Sequence, residues 1–516
     1  MTEMPNSHSD QIGLKRQSMV TAAALVELIG PWATGADPLN EQLADALTRA
    51  IEVGLLPPGT RLPAERELAR ELALSRTTIV AAYDRLRLAG LARSRQGSGT
   101  RVAARRPDLH DLSPTPAGDT DTEGPVRIGG GVVWTSGFAP SDDPEAIQLT
   151  IGALPAGPAV GASIETALRE DVPALLGEMG YDPFGWPPLR VAISSYLARL
   201  GVPTDPDQVL VTNGAQQAVH LVAAHIGGPG SAVVLENPTY IGAIDAFRTT
   251  GNRLLPMPVD DEGPRVEVAR LLAASAQVRL AYVVPTYHNP TGVTMPESRR
   301  RELARSAAEF DFHVVEDLTP DTSLGLDVPP PIAAFDQGER VITLGSLSKI
   351  GWGGLRIGWI RAPRADVDRL VAGKIVADHA TSLITQAIAT RVLERVDEVV
   401  AFTREAAAMR RTIVTEALAA KVPDWEWVAP EGGLSIWVRL PDADAVQFSR
   451  LAARHGVIVR PGPLASPDGG FRDHIRIAYG ADPERLGEAV DRLAAAWAEY
   501  APQARRFPRT SLAVSV

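Results

Sequence analysis

Thr343-Leu344-Gly345-Ser346-Leu347-Ser348-Lys349-Ile350-Gly351-Trp352-Gly353-Gly354-Leu355-Arg356-Ile357-Gly358 is the stretch that decides how this chain reads. The apolar run Val341–Leu344 reads as a strand and feeds the chain into it. From Ser346 to Arg356, 11 positions hold two hydroxyls, one lysine, three glycines and one arginine. A phosphorylated aldehyde cofactor needs that set: an amine to form an imine, hydroxyls and a guanidinium for the phosphate, and pliable backbone close by. The plainer alternative is a strand and loop with a surface lysine. Lysine usage counts against it. Lys plus Arg total 51, yet the only lysines are Lys15, Lys349, Lys374 and Lys421. Lys15 lies in a polar N-terminal stretch, and Lys374 and Lys421 fall in polar helical surroundings.

Upstream segments offer partners for such a ring. Val314-Val315-Glu316-Asp317 ends a strand-like run 32 residues before Lys349. A carboxylate at Asp317 can keep a pyridine nitrogen protonated, which makes the ring an electron sink. Pro285-Thr286-Tyr287-His288-Asn289-Pro290-Thr291-Gly292 reads as a rigid loop after another strand, and Asn289 can hydrogen-bond a phenolic oxygen. Tyr240, in Glu236-Asn237-Pro238-Thr239-Tyr240, offers an aromatic ring for stacking. Thr212-Asn213-Gly214-Ala215-Gln216-Gln217 joins a strand to a helix, and the exposed N–H groups there form an anion site.

These segments sit in an alternating pattern. Val209–Thr212, Ala232–Leu235, Leu280–Val284, His313–Glu316 and Val341–Leu344 are apolar runs separated by helical stretches, from about Ala146 to Ala501. Such alternation predicts a large α/β domain built on a mostly parallel sheet. Residues 105–145 are rich in Pro, Gly, Asp, Ser and Thr and read as a flexible linker, and 502–516 as a tail.

The N-terminal part has a different character. The formal net charge of the chain is −11, but residues 38–106 carry 12 Arg, no Lys and 7 acidic residues, a local excess of +5. A basic module on an acidic body is expected where one part meets phosphate. Residues 1–37 read as an extension with a short helix around Met19–Trp32. Leu39, Leu43, Leu47 and Ile51 fall four apart, a helical stripe. Leu62–Leu72 and Arg76–Ala89 read as two helices joined by a tight turn, with Ser75 as the N-cap of the second. That is helix-turn-helix spacing, and it points the start of the second helix at a DNA major groove. Arg76, Thr77 and Thr78 supply a forked donor and two hydroxyls there. Leu91–Val102 reads as a β-hairpin wing carrying Arg93, Arg95 and Arg101 around Gln96-Gly97-Ser98-Gly99.

Residues 38–104 resemble the GntR family of winged-helix DNA-binding domains. The pattern is carried by Pro38-Leu39-x-x-Gln42, Gly54-x-Leu56-Pro57-Pro58-Gly59-x-x-Leu62-Pro63, Arg66-x-Leu68-Ala69, Ser75-Arg76-x-Thr78 and Gly97-Ser98-Gly99-Thr100. The resemblance implies DNA contacts from Arg66, Arg76, Thr77 and Thr78, with Gln96 and Gly97 at the wing tip. Residues 146–501 resemble the fold-type I aminotransferases, on Asn289-Pro290-Thr291-Gly292 and on Ser346-x-Ser348-Lys349 with Arg356 seven residues later. That implies pyridoxal 5'-phosphate (PLP), held as an internal aldimine on Lys349. Asp317 would face the ring nitrogen and Asn289 the phenolate oxygen, with Ala215, Gln216, Ser346, Ser348 and Arg356 on the phosphate. Arg476 matches the substrate-carboxylate arginine, and Tyr181 a residue lent to the partner subunit. The two parts together resemble the MocR subfamily of bacterial regulators. This implies a head-to-tail homodimer in which PLP and a small amino compound bias binding to double-stranded operator DNA. One position departs from the pattern: Thr319 stands where the subgroup has Tyr on the phenolic oxygen.

Composition narrows the remaining classes. There is no cysteine, so disulfides, zinc–thiolate sites and cysteine nucleophiles are excluded, and a reducing compartment fits. No stretch reaches the roughly 18 apolar residues of a membrane span. Met19–Gly30 is interrupted by Glu27 and carries no cleavage signal, so a cytoplasmic location is expected. The nine histidines are scattered, and no metal site is expected. Two rival readings remain: a working aminotransferase with an incidental DNA-binding arm, and a regulator that has lost PLP.

Overall fold

The five apolar runs form strands, and each ends at or within the polar motif that follows it. The structure, a computed structural model, describes residues 21–29, 32–33, 38–52, 56, 60–72, 74–88, 92–95, 99–102, 126–128, 131–133, 145–275 and 277–506. It divides into two units, Met1–Ala117 and Gly118–Val516.

In the first unit, helices Ala22–Ile29, Leu39–Glu52, Glu65–Glu71 and Arg76–Leu88 precede an antiparallel hairpin, Ala92–Arg95 with Gly99–Val102. Leu43 and Leu47 are fully buried and meet Leu25, Leu68, Ile79 and Tyr83 in one core. Full burial of each such side chain contributes about 1.5–3 kcal/mol before entropy is counted. Leu39 departs from the stripe read in the sequence: it starts the helix and stays 44% exposed. The Tyr83 hydroxyl donates to the Pro63 carbonyl at 3.0 Å, so the buried ring keeps its polar end satisfied. The hairpin is tied back to the helices. Leu62 N–H donates to Thr100 O and Val102 N–H to Thr60 O, both at 2.9 Å.

The second unit is built on an eight-stranded sheet. Its order is Val209–Thr212, Gly358–Arg361, Val341–Ser346, His313–Asp317, Val278–Val283, Ala232–Asn237, Arg253–Asp260, Gly263–Pro264. Gly358–Arg361 runs antiparallel to both neighbours; from Val341–Ser346 through Arg253–Asp260 the pairing is parallel. Alternation along each strand feeds two cores. Val234, Ala281, Val314 and Val341 pack toward helices Pro158–Glu170, Pro187–Arg199 and Glu297–Phe310. Val233, Leu235, Tyr282 and Val315 pack toward Ala215–Val222, Ile241–Thr249 and Arg364–Asp378. A sheet covered on both faces has apolar residues on both, which is why these strands read as continuous apolar runs.

A smaller antiparallel sheet, ordered Glu426–Trp427, Ser435–Arg439, His474–Ala478, Arg460–Pro461, packs with helices Val396–Lys421, Ala445–Arg454 and Pro483–Arg506 around a third core. Ile147–Gln148 pairs in parallel with Val457–Ile458, so the start of the body belongs to this smaller layer. Helix Pro483–Arg506 runs five residues past Ala501, into the stretch read as tail. Within the stretch read as linker, Val126–Ile128 and Gly131–Val133 pair as an antiparallel hairpin.

Among the described residues, no helix is long and apolar enough to cross a membrane, and no group of three or more His, Asp or Glu could hold a metal ion.

The Ser75 hydroxyl accepts the Thr78 N–H at 3.1 Å and so caps helix Arg76–Leu88. Ser75→Ala should destabilise the first unit by about 1 kcal/mol. Amide hydrogen exchange should show the first turn of that helix exchanging faster; unchanged protection at Thr78 would contradict the cap.

Candidate functional site

Parallel strands leave a sheet on one edge, and in open α/β sheets ligands bind outside the carboxyl ends. Here Asp317, Ser346 and Thr212 end their strands at that edge. The strand pairs Asp317 with Leu344, while Gly358 lies opposite both Ser346 and Thr212. The reversed strand therefore starts at this edge, and Arg356 sits in the turn that leads into it. A cavity of about 130 Å³ opens here, and Ala215, Tyr240, Asn289, Asp317, Thr319, Lys349 and Arg476 all line it. Seven side chains singled out across more than 250 residues of sequence thus converge on one space.

Lys349 lies in the short helix Leu347–Ile350, whose N-cap is Ser346. Burial lowers the affinity of the Lys349 amine for its proton, and the charges of Arg476, Arg460 and Arg356 lower it further, against the opposing pull of Asp317. Together they bring it down to about 8. Asp317 is buried, which raises its pKa. The Thr319 side chain, the Tyr282 hydroxyl at 2.6 Å, the Thr319 N–H at 2.8 Å and the Lys349 charge oppose that rise. Arg476 is brought to about 9 by burial and by Arg460, and its Nη1 donates to Thr150 O at 3.1 Å.

The remaining expected contacts are placed as follows. The Ser346 hydroxyl donates to Ile357 O at 3.0 Å and accepts the Ser348 N–H at 3.1 Å. The Ser348 hydroxyl lies 3.0 Å from it. Arg356 donates to Asn213 O at 3.1 Å across Gly214. Gly214 has φ +80°, and a Cβ there would lie 2.8 Å from the Arg356 guanidinium. Glycine therefore lets the guanidinium lie against the loop. Gln216 donates to Gly242 O at 2.8 Å and accepts from the Tyr240 hydroxyl at 2.9 Å. Its side chain is committed to holding Tyr240. Tyr181 is 77% exposed and does not line the cavity of its own chain.

Thr319 is informative. Its backbone N–H donates to Asp317 at 2.8 Å, its side chain helps to hold down the pKa of the same carboxylate, and Thr319 also lines the cavity. The amine, the carboxylate, the guanidinium over the glycine and this hydroxyl suit a phosphorylated pyridine aldehyde.

Sequence reading missed several residues here. Tyr282 was counted only as part of a strand, yet its hydroxyl orients Asp317. Arg460 and Trp437 line the cavity beside Arg476. The alternation in Ser435–Arg439 could have flagged Trp437, because it faces the same way as Arg476 on the paired strand. Lys374 lies in helix Arg364–Asp378 with a polar partner, as read, but it is fully buried, bonding Asp378 at 2.8 Å. Asp378 also accepts from Asn213 at 2.5 Å and from Gln217 at 2.8 Å. This lysine anchors the loop that carries Ala215.

At the other unit, Arg66, Arg76 and Thr77 are exposed. Arg76 pairs with Glu65 at 3.2 Å, and the Thr78 hydroxyl lies 2.8 Å from that of Ser75. Arg85 pairs with Glu41 at 2.7 Å, between helices Arg76–Leu88 and Leu39–Glu52. Gln96 and Gly97 lie outside the described residues.

An amine lowered to about 8 is charged below that pH and neutral above it. Reductive methylation of Lys349 in cofactor-free protein should rise through pH 8, not 10.5. In Arg476→Ala the midpoint should move up, since a like charge is removed. Peptide mass spectrometry reads both; a midpoint unmoved by the substitution would contradict the electrostatic account.

Residues 176–493 match the family of class I and II aminotransferases, and residues 39–102 the gntR family of bacterial regulatory proteins. The HTH-type transcriptional regulator TauR of Rhodobacter capsulatus is 30% identical over 90% of this chain and 97% of its own. The probable rhizopine catabolism regulatory protein MocR of Rhizobium meliloti is 30% identical over 68% of this chain and 70% of its own. The kynurenine aminotransferase of Pyrococcus horikoshii, solved in complex with PMP, is 31% identical and superposes with a TM-score of 0.64 over 69% of this chain and 91% of its own. A winged helix of the gntR type and an aminotransferase body whose cofactor is pyridoxal phosphate thus share one polypeptide, and the chain belongs to the MocR-type transcriptional regulators.

Proposed function

We propose that this protein is a cytoplasmic regulator whose body captures a small amino compound at Lys349 and whose winged helix, in response, changes its hold on operator DNA. The observation that carries this reading is the low-affinity amine of Lys349, enclosed with Asp317, Asn289, Tyr240 and Arg476 in a chain that also carries a DNA-binding unit. Bound pyridoxal phosphate supplies an electrophilic carbon for primary amines and a ring that draws electrons from the carbon next to nitrogen.

The chain's own residues do the rest. Lys349 offers a neutral amine near physiological pH and can take a proton back when displaced. Asp317, held by Tyr282 and Thr319, presents its carboxylate to a ring nitrogen. Asn289 and the Thr319 hydroxyl reach the phenolic oxygen, with the shorter Thr side chain leaving Asn289 the main contact. Arg356 and Ser348 meet the phosphate beside the N–H groups that begin helix Ala215–Val222. Ser346 supports them by capping the Lys349 helix, and Gln216 by fixing Tyr240. Arg476 receives the ligand's carboxylate. In a head-to-tail homodimer, Tyr181 serves the partner's site; its exposure beside exposed Leu176 and Met179 supports that arrangement.

On the DNA side, Arg66, Arg76, Thr77 and Thr78 meet the duplex from the recognition helix and its neighbour, and the wing tip at Gln96 and Gly97 follows the backbone. Affinity should fall linearly with log salt. Arg76→Ala should cost about 1–3 kcal/mol at its cognate base, as measured by fluorescence anisotropy on the mapped operator. Operator binding by a chain lacking residues 1–106 would refute the assignment.

The reading also fixes what the body should not do. A persistent signal needs the ligand to remain bound. An amino compound that alters the visible spectrum and DNA affinity should therefore form pyridoxamine phosphate slowly or not at all. Stopped-flow absorbance over one turnover tests this; rates of about 1–10³ per second would place the protein among working aminotransferases. Lys349→Ala should abolish the borohydride-reducible adduct.

A further inference from the structure

Tyr240 and Asn289 reach the cavity from two separate loops, one after strand Ala232–Asn237 and one after its neighbour Val278–Val283. The ladder between these strands has Leu235 and Tyr282 as its last pair, so it ends before either loop begins. Beyond it, one side chain makes the connection. The Glu236 carboxylate accepts the Val284 N–H on both oxygens, at 3.1 and 3.0 Å, and the Thr239 hydroxyl lies 3.4 Å from Oε2. Nε2 of His288 lies 3.2 Å from that same oxygen. Both side chains are buried almost completely.

His288 is itself held in place. Its Nδ1 lies 2.8 Å from the Thr291 hydroxyl, across Asn289 and Pro290. Its N–H donates to Val293 O at 2.8 Å, and its carbonyl accepts the Gly292 N–H at 2.6 Å. Asn289 is therefore fixed from both sides. On the other loop, the Thr239 N–H donates to Ala465 O at 2.8 Å, and Tyr240 follows directly. A buried pair of this kind is weak evidence for stability, because apolar residues of the same volume often serve as well. It supplies direction instead: a carboxylate approached from its own loop and from the neighbouring one allows few arrangements of the two. Neither Glu236 nor His288 lines the cavity.

We propose that Glu236 and His288 are positioning residues for the cofactor: the pair clamps the Asn289 loop to the Tyr240 loop, so that the amide and the aromatic ring meet one pyridine together. The proposal rests on the PLP-sensing reading and adds two residues that act from outside the cavity. It has a spectroscopic consequence. A donor on the phenolic oxygen draws charge from it, and so weakens the hold of the neighbouring nitrogen on its proton. If the clamp is lost and Asn289 drifts, the pH midpoint of the visible spectrum moves up.

The test uses the full-length, PLP-loaded protein, titrated with pH while the visible spectrum is recorded. His288→Leu should raise the midpoint by about 0.4–1 unit, the equivalent of one weakened hydrogen bond. Asn289→Ala should raise it as well, and adding His288→Leu to Asn289→Ala should move it no further. His288→Gln, whose amide can still face Glu236, should bring it back toward the wild-type value. Asp317, Arg356, Arg460 and Arg476, the charges that act on Lys349, are unchanged in every variant. Thr291→Val frees the imidazole with less disturbance of the core and should give a smaller shift of the same sign; it decides the question where His288→Leu does not fold. A residue that only fills the core would lower the melting temperature and leave the midpoint in place. A charge acting through space would shift the midpoint equally with and without Asn289. Either result overturns the proposal. A wild-type protein without visible absorbance removes the PLP reading itself, which is a separate outcome.

Discussion

Hydrogen bonding between strands that run in one direction fixes where the chain leaves the sheet, and the site depends on that constraint. Each parallel strand must return to the opposite edge before the next begins, so the loops at the carboxyl edge are free of the sheet's own pairing. Asp317, Asn289, Tyr240, Ala215 and Lys349 follow five different strands and still share one cavity. Arg356 needs an exception to the parallel run. The turn after Lys349 sends Gly358–Arg361 back antiparallel between two strands, and Gly214 gives up its side chain so that the guanidinium can lie against the loop.

Charge arrangement inside that frame works through mutual compensation. Three arginines around Lys349 lower its proton affinity, and Asp317 limits the effect. Asp317 would itself be driven toward its neutral form by burial, but Tyr282 and the Thr319 N–H donate to its oxygens. The loop between Thr212 and Ala215 is anchored through Asp378, whose charge is matched by a buried lysine one helical turn away. Removing one partner of such a buried pair leaves the other uncompensated, so these contacts set geometry as much as they contribute stability.

Much of this was legible in the sequence, for physical reasons. Strands covered on both faces read as apolar runs, and the polar loops after them stand out because their residues are poor choices for packing. Lys349 stood out because lysine is scarce. What stayed hidden were residues whose role depends on tertiary pairing. Tyr282 reads as one more apolar strand residue until the next strand brings Asp317 beside its hydroxyl. Arg460 carries no signal of its own in the sequence, and its place opposite Arg476 appears only with the strand register, because cross-strand neighbours are set by pairing and not by spacing. Lys374 reads as a surface helix residue because its partner, four residues on, is an ordinary surface spacing. Leu39 failed in the other direction: a helical stripe marks a face, but the first residue of the helix extends beyond the core that face covers.

The position at 319 bears on the proposed sensing role. A ligand shifts a two-state protein only by its difference in affinity for the two states, and only while it is bound. An enzyme gains from releasing product; a sensor gains from occupancy. Thr319 holds Asp317 through its backbone N–H and its side chain, and it lines the cavity. A larger phenol in its place would meet a ring oxygen directly and help stabilise charge there during turnover. With the shorter hydroxyl, Asp317 would keep its proposed role at a ring nitrogen, while support for a phenolic oxygen would be weaker. On the function proposed here, capture of an amine would survive that change better than its conversion, because capture would depend on Lys349 and Arg476, both of which line the cavity.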